Sequence, residues 1–505
     1  MTAITDALDK AQQRIREAYD AQRFIAAGKQ VIDLLGDYLS QAQASQNHVL
    51  NWADPKALCE QARSMLDISG DGASPAETTS FICEVDRLVR LTVAHGQTLH
   101  DPRYIGHQVA PPLPTAGLFE AVSSVTNQGM AIYEMGPWAC AAEDAMVQTL
   151  GEALGFAPRK FAGVITSGGS LANLTALLTA RNVAMNDVWS KGVSTSTQPP
   201  VLVAHGETHY CVARAAGVLG IGTDHVVKVK TDERCRMIPA DLDQKLSELR
   251  QAKRPIIAVV AAACSTRTGA FDPLEEIAVI CKKHGVWLHV DAAHGGAACL
   301  SQKHKHLLAG IEQADSVVWD AHKMMHVPAL CTFLFYRDPA HRFCAFEQDA
   351  PYLYDPTAPN LVDYDSGLKT VECTKRAAAF GLWGAWCLHG RKLFADIVET
   401  TFAMARTFYE MLRDADDFEP LHEPMCNILM FRYLPAQLRD ASLERLGSFQ
   451  LELRRHLIES GRFYIVPGKW DGHGALRAVV MNPLTTASHL QALMNALREE
   501  GQRLL

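Results

Sequence analysis

Four short stretches of the chain carry residue types that share one chemistry. Thr166 to Ser170 reads TSGGS, after the apolar run FAGVI and before LANLTALLTAR. That places Ser167, Gly168, Gly169 and Ser170 at the start of a helix, where free amides and the helix dipole favour an anion such as a phosphate. Asp291 closes the run VWLHV and is followed by AAHGG. A carboxylate at the carboxyl edge of a sheet stands where α/β proteins bind ligands and can pair with a protonated ring nitrogen. Lys323 follows SVVWDAH and precedes two methionines. Burial disfavours an ammonium, so its pKa is expected to fall and free the amine to attack a carbonyl carbon. His209 lies beyond the run PVLVAH, before a small-residue helix; its flat imidazole can stack on an aromatic ring, with His205 as a competing candidate. Taken singly, each has an ordinary explanation: a capped turn, a strand-end aspartate, a snorkelling lysine, a hydrogen-bonded histidine. Taken in order, they match one ligand laid across adjacent strand ends, and the expected ligand is pyridoxal phosphate.

The elements that must position these residues follow from apolar patterning. From Thr2 to about Val93 apolar residues such as Ile25, Val31, Leu34, Leu35 and Leu39 recur at helical spacing, which predicts a helical N-terminal arm. Leu99 to Pro114, LHDPRYIGHQVAPPLP, is too proline-rich to continue a helix and reads as an extended loop. Beyond it the runs FAGVIT, PVLVAH, HVVKVK, IIAVVAAA, VWLHVDAA, SVVWDAH and ALCTFLFYR are interspersed with helical stretches. That predicts a mainly parallel sheet covered by helices. From about Gly390, helices near Phe394–Leu412 and Leu443–Ser460 join strand-like NILMFRYL and ALRAVVMNP. The expected organisation is a helical segment over 1–105, a large α/β domain over 106–390 and a small α+β domain over 391–505.

The chain has 505 residues, 48% of them hydrophobic, enough for a large core in more than one domain. A formal charge of -8 offers no general attraction to nucleic acid or anionic lipid, so neither is expected as a partner. Thirteen cysteines are scattered singly, with no CxxC pair; they read as reduced thiols, and no metal is expected. The N-terminus lacks the apolar core of a signal peptide, and no window approaches 18 apolar residues. A cytoplasmic location without membrane association is the expectation.

DPRYIGHQ, TNQGMAIYEMGP with Glu143, TSGGSLANL, the His209 segment, TGAFDPLEEI, HVDAAHGG, ADSVVWDAHKMM, ECTKR and LRAVVMNPLTT together resemble the group II pyridoxal-phosphate decarboxylases. This family contains glutamate, aromatic amino acid and cysteine sulfinate decarboxylases. The resemblance covers roughly residues 95 to 490, and HKMM with Tyr352 in APYLYDP is similar to the glutamate decarboxylase branch. It implies the fold type I architecture of pyridoxal-phosphate transferases, with a mainly parallel seven-stranded sheet. It also implies a homodimer with shared active sites and a loop around Tyr352 that reaches the neighbouring site. By the same resemblance Lys323 forms the Schiff base, Asp291 pairs with the ring nitrogen, and His209 stacks on the ring. Ala293 and the Ser167–Ser170 turn belong to the cofactor site, with His322 beside the phosphate. Tyr352 returns a proton to the substrate, and Arg477 clamps the substrate carboxylate with two parallel hydrogen bonds.

Departures from the family pattern are expected to gather on the substrate side. Asp101 replaces the usual histidine, putting His107 or Gln108 against the substrate; Ala262 and Cys264 replace a threonine and a glycine; Glu372 replaces a glutamine. The expected reaction is α-decarboxylation of a small amino acid, with glutamate, aspartate or cysteine sulfinate favoured. The alternatives are decarboxylation of diaminobutyrate, decarboxylation coupled to oxidation giving an aldehyde, which a tyrosine at 352 argues against, and a catalytically silent cofactor-binding regulator.

Overall fold

The computed structural model describes residues 2–66, 78–193, 198–347, 354, 357 and 361–505; the Tyr352 expectation lies outside them. The N-terminal helical stretch is divided into α1 (Thr2–Ala18), α2 (Ala21–Gln43), α3 (Pro55–Ser64) and α4 (Thr78–Ala94). Aspartates set two of the starts: Asp20 accepts the amides of Gln22 and Arg23, and Asp54 accepts that of Ala57. After the extended loop, α5 (Pro114–Thr126) and α6 (Pro137–Ala153) each open on a proline, whose missing N–H costs nothing in a first turn.

The central sheet holds β1 (Ala162–Thr166), β2 (Val201–His205), β3 (Val226–Val229), β4 (Ile256–Ala262), β5 (Trp287–Asp291), β6 (Ser316–Asp320) and β7 (Thr332–Tyr336). Helices α7 (Gly169–Ala184), α8 (Val188–Lys191), α9 (Cys211–Val218), α10 (Pro239–Gln251) and α11 (Leu274–His284) lie between them in the chain. The spatial order is β1-β7-β6-β5-β4-β2-β3. Strands from β3 to β6 pair in parallel, while β7 runs antiparallel to both its neighbours. It follows that β1 runs in the same direction as β6, and the carboxyl ends of β1, β2, β4, β5 and β6 share one edge. Alternate side chains serve two cores. Ile165, Val203, Val259, Val290 and Trp319 pack on one face, and Val164, Leu202, Val260, Val318 and Leu334 on the other. Burial on both faces is why these strands read as unbroken apolar runs.

The long helix α12 (Ala379–Arg413) is interrupted at Gly390, where φ is 67° and ψ 176°. It leads into an antiparallel sheet of β8 (Phe418–Pro420), β9 (Ile428–Tyr433), β10 (Val466–Trp470) and β11 (His473–Val479), in the order β10-β11-β9-β8. α13 (Leu443–Glu459) and α14 (Ala487–Leu504) cover it around a third core containing Phe408, Phe431, Leu453, Leu476 and Leu493. The two sheets meet where β9 and β11 approach the carboxyl edge of the large one.

Candidate active site

At that edge Gly169, Ser170, Asn173, Thr208, His209, Ala262, Cys264, Asp291, Ala293, His294, Asp320 and Lys323 line one cavity. Five strand ends converge there, as ligand sites of open α/β sheets require.

The glycine-serine turn is a cradle made by missing atoms. Gly168 sits at φ +105°, which side chains disfavour, and a Cβ on Gly169 would stand 3.0 Å from both Asp320 carboxylate oxygens. Gly168 supplies no side-chain cap to α7, and the amides of Gly169 and Ser170 have no partner among the described residues. Asn173 fixes the turn by donating to the Gly169 carbonyl at 2.8 Å. Ser167 is exposed and does not line the cavity.

Asp291 and Asp320 end neighbouring strands and behave differently. Burial pushes the Asp291 carboxyl up, against the pull of Lys323 and His209; its Oδ1 accepts the Ala293 amide at 3.1 Å. Burial would also raise Asp320, but Lys323, His322 and the Thr332 hydroxyl together hold it below the ordinary carboxylate range. Its carboxylate lies 2.9 Å from Lys323 Nζ and 2.6 Å from Thr332 Oγ1. This corrects the expectation for Lys323. Burial alone would lower its pKa, but Asp320 and Asp291 outweigh burial and hold the ammonium above its ordinary value. Asp320 was missed in the sequence, although SVVWD presents an acid at a strand end just as VWLHVD does.

His209 is half-buried, its Nδ1 accepting the Cys211 amide at 3.3 Å, and burial holds its imidazole below the ordinary range although Asp291 pulls the other way. His205, the competing candidate, is fully buried with Nε2 3.1 Å from Asp272 and Nδ1 accepting the Glu207 amide, so both ring nitrogens are engaged in the fold. His322 does not itself line the cavity: its Nδ1 is 3.1 Å from the Cys331 carbonyl and its Nε2 is 3.6 Å from Asp320, which does.

An adjoining cavity shares Thr208, His209 and Thr266 and is lined further by Glu207, Arg267, Lys469 and Arg477. Arg477, on β11, is buried and donates to the Arg267 and Thr266 carbonyls and to Gln108 Oε1 at 3.1 Å. Burial lowers its pKa to about 10, and it has no carboxylate partner among the described residues. His107 is exposed, 5.8 Å from the Tyr464 ring. Of the departures, Ala262 and Cys264 line the inner cavity, whereas Asp101 and Glu372 line neither. Asp101 is instead buried in an ion pair with Arg103 and accepts from Ser45 Oγ. The expectation that these departures gather on the substrate side is therefore corrected for Asp101 and Glu372: one serves a structural ion pair, and the other lies off both cavities.

The donor set fits pyridoxal phosphate. It offers a primary amine, a buried acid without a cation bonded to it, an uncapped helix start, and a buried hydroxyl with no partner among the described residues, Thr208 Oγ1. Comparison with known proteins agrees with this reading. The pyridoxal-dependent decarboxylase conserved domain matches residues 74–434. The chain is 31% identical to an acidic amino acid decarboxylase of Mus musculus, covering 95% of this chain and 88% of that one. It is also 31% identical to the cysteine sulfinic acid decarboxylase of Homo sapiens, over 93% and 94% of the two chains. The crystal structure of mouse CSAD superposes with a TM-score of 0.85 at 28% identity, covering 95% of this chain and 99% of that chain. Oryza sativa TDC, at 22% identity and a TM-score of 0.86 over 96% of this chain and 99% of that chain, shares the fold. With its fold type I architecture and this cavity, the chain belongs to the pyridoxal-dependent decarboxylase family and is a pyridoxal-phosphate-dependent carboxy-lyase.

Proposed function

We propose that the enzyme removes the α-carboxylate from a small acidic amino acid such as glutamate, aspartate or cysteine sulfinate. The observation that carries the carboxylate anchor in this reading is Arg477: a buried guanidinium without an acidic partner among the described residues, at the wall of a cavity that meets Lys323's own. Leaving such a cation uncompensated is costly unless an anion joins it. The acidic substrates named for the two curated relatives support the same choice.

Bound pyridoxal phosphate supplies an electron sink for the pair left when carbon dioxide departs. Lys323 would hold it covalently, Asp291 would face its ring nitrogen, His209 and Ala293 would contact its ring, and the Gly168–Ser170 turn would serve its phosphate, with Ser167 and His322 flanking that turn from outside the cavity lining. Arg477, oriented by Gln108 and neighboured by His107, binds the substrate carboxylate. Asp320 holds the proton on Lys323 Nζ until it is needed, and Tyr352 returns a proton to the α-carbon. We further propose a homodimer. Leu8, Ile15, Phe24 and Ile32 lie exposed on α1 and α2, an apolar surface that a second copy would cover. The thirteen free thiols support a reducing, cytoplasmic location, and no helix among the described residues is long and apolar enough to cross a membrane.

Arg477→Met tests the reading. With carbon dioxide release measured across acidic, basic and aromatic amino acids, the wild type should prefer an acidic one. The variant should lose roughly 2–4 kcal/mol of transition-state stabilisation, about 30- to 1000-fold in kcat/KM, on that substrate. An unchanged kcat/KM would remove Arg477 from the substrate site.

A further inference from the structure

Cys264, just past β4, and Cys426, just before β9, bring their sulfurs to 3.8 Å in the wall between the cofactor cavity and the small sheet. His294 completes a triangle in which one ligand atom from each residue lies within 4.8 Å of the others, and all three residues are buried. The histidine is already oriented. Its Nε2 is 2.7 Å from Asn427 Oδ1, and Asn427 is itself held by donating to the Val480 carbonyl at 3.1 Å. Nδ1, by contrast, is buried with no partner among the described residues. A histidine that binds a metal through one nitrogen usually donates its other N–H to an oxygen acceptor, which is the place Asn427 holds.

The sulfur separation is that of two thiols in hydrogen-bond contact, and it also admits a metal. A disulfide requires about 2.05 Å, far shorter than the observed spacing. Two sulfurs each about 2.3 Å from a tetrahedral zinc ion stand about 3.8 Å apart. Two thiols and an imidazole are also the donor set that soft or borderline divalent ions select over magnesium or calcium.

We propose that Cys264, Cys426 and His294 form a three-ligand site for a zinc-type divalent ion. Cys264 and His294 line the cofactor cavity and Cys426 does not, so the fourth coordination position opens toward Lys323. Binding releases one proton from each of the two thiols, so the zinc–dithiolate–imidazole centre adds no net charge; its open fourth position takes a donor group from within the cavity and the ion thereby acts as an inhibitor. The site goes beyond the decarboxylase reading and its binding does not depend on the substrate assigned above.

The test uses the cofactor-loaded enzyme exposed to zinc, passed through gel filtration and assayed for metal by mass spectrometry. Wild type should retain one equivalent per subunit, as should Cys281→Ser, which alters a buried thiol on α11. Cys426→Ser should bind at least about 100-fold more weakly, since it removes a ligand rather than an outer-shell partner. Zinc should slow carbon dioxide release in the wild type, a chelator should restore it, and Cys426→Ser should be insensitive. If that variant does not fold, cobalt(II) on the wild type gives a second readout, because bound thiolates produce charge-transfer absorption. Failure of the wild type to retain zinc, equal retention by Cys426→Ser, or cobalt binding without thiolate absorption would each overturn the proposal. Absence of activity on acidic amino acids would bear only on the substrate reading.

Discussion

Lys323 lies among carboxylates with unequal claims on it: Asp320 bonds its ammonium at 2.9 Å, and Asp291 acts only through its charge. Removing the Asp320 charge should let burial prevail. In cofactor-free Asp320→Asn, the Lys323 amine should therefore titrate at lower pH than in wild type, read as the pH dependence of acetylation at that residue by mass spectrometry. The stability consequences have opposite signs at the two ends of the pH scale. Lys323, raised above its ordinary 10.5, contributes stability that is full below that value and is lost as pH rises through the folded pKa. Asp320, depressed below 3.8, contributes stability present above that value and lost as pH falls through its folded pKa. The variant should lack both losses, so its melting temperature should vary less with pH at either extreme; an unaltered Lys323 titration would assign the ammonium's stabilisation to another group. At this scale the sequence disclosed residue types and their order but not charge balance. Lys323 was legible as the amine, while the sign of its shift depended on Asp320 and on distances that no spacing rule supplies.

Between residue and sheet, one hydrogen-bonded path supports the phosphate turn. His289 on β5 spans Asn173 Oδ1 at 2.9 Å and Ser316 Oγ at 2.8 Å, Trp287 Nε1 donates to the same Ser316, and Asn173 holds the Gly169 carbonyl. Burial lowers the His289 pKa to about 3, so the imidazole is neutral in the fold. Its unfolded value lies higher, near 6.5, so the stability it contributes is present above that pH and is lost progressively as pH falls toward 3. His289→Leu leaves the Asn173 and Ser316 oxygens without this partner and should cost about 1–3 kcal/mol at neutral pH. It should also flatten the fall in melting temperature between pH 6.5 and 4 and weaken cofactor retention through the loosened turn. A variant with wild-type stability and an equally steep acid limb would contradict this role. The path was invisible in the sequence because its members are 116 and 27 residues apart. The strands that carry it were legible, since burial on both faces leaves nearly continuous apolar runs. In the C-terminal region, β10 escaped because its Pro467 and Gly468 read as a turn, and β8 because three residues carry no periodicity. α14 does carry the helical period in Leu490, Leu493, Met494 and Leu497.

Across the whole molecule, the N-terminal helices raise the question of what covers their apolar side. α1 exposes Leu8 and Ile15, seven apart, and α2 exposes Ile25 and Ile32 at the same interval, so each pair lies on one helical face turned away from this subunit's core. The sequence made the helical period plain, but the same stripe serves equally well against a chain's own body or against another copy; only the exposure of these residues in the single subunit separates the two. If a second subunit covers them, each contributes about 1.5–3 kcal/mol to association, and a charge placed there opposes it. Combining Ile15→Glu, Ile25→Glu and Ile32→Glu should therefore raise the dimer dissociation constant by at least about 1000-fold, measured by sedimentation over a concentration series. The monomer's own packing is untouched by exposed positions, so its melting should stay within about 0.5 kcal/mol per site of the parent fold. Because the resemblance places active sites at the subunit boundary, carbon dioxide release should fall in step with the monomer fraction and recover on concentrating the protein. A triple variant that sediments as a dimer at every concentration would show that these faces do not hold the subunits together.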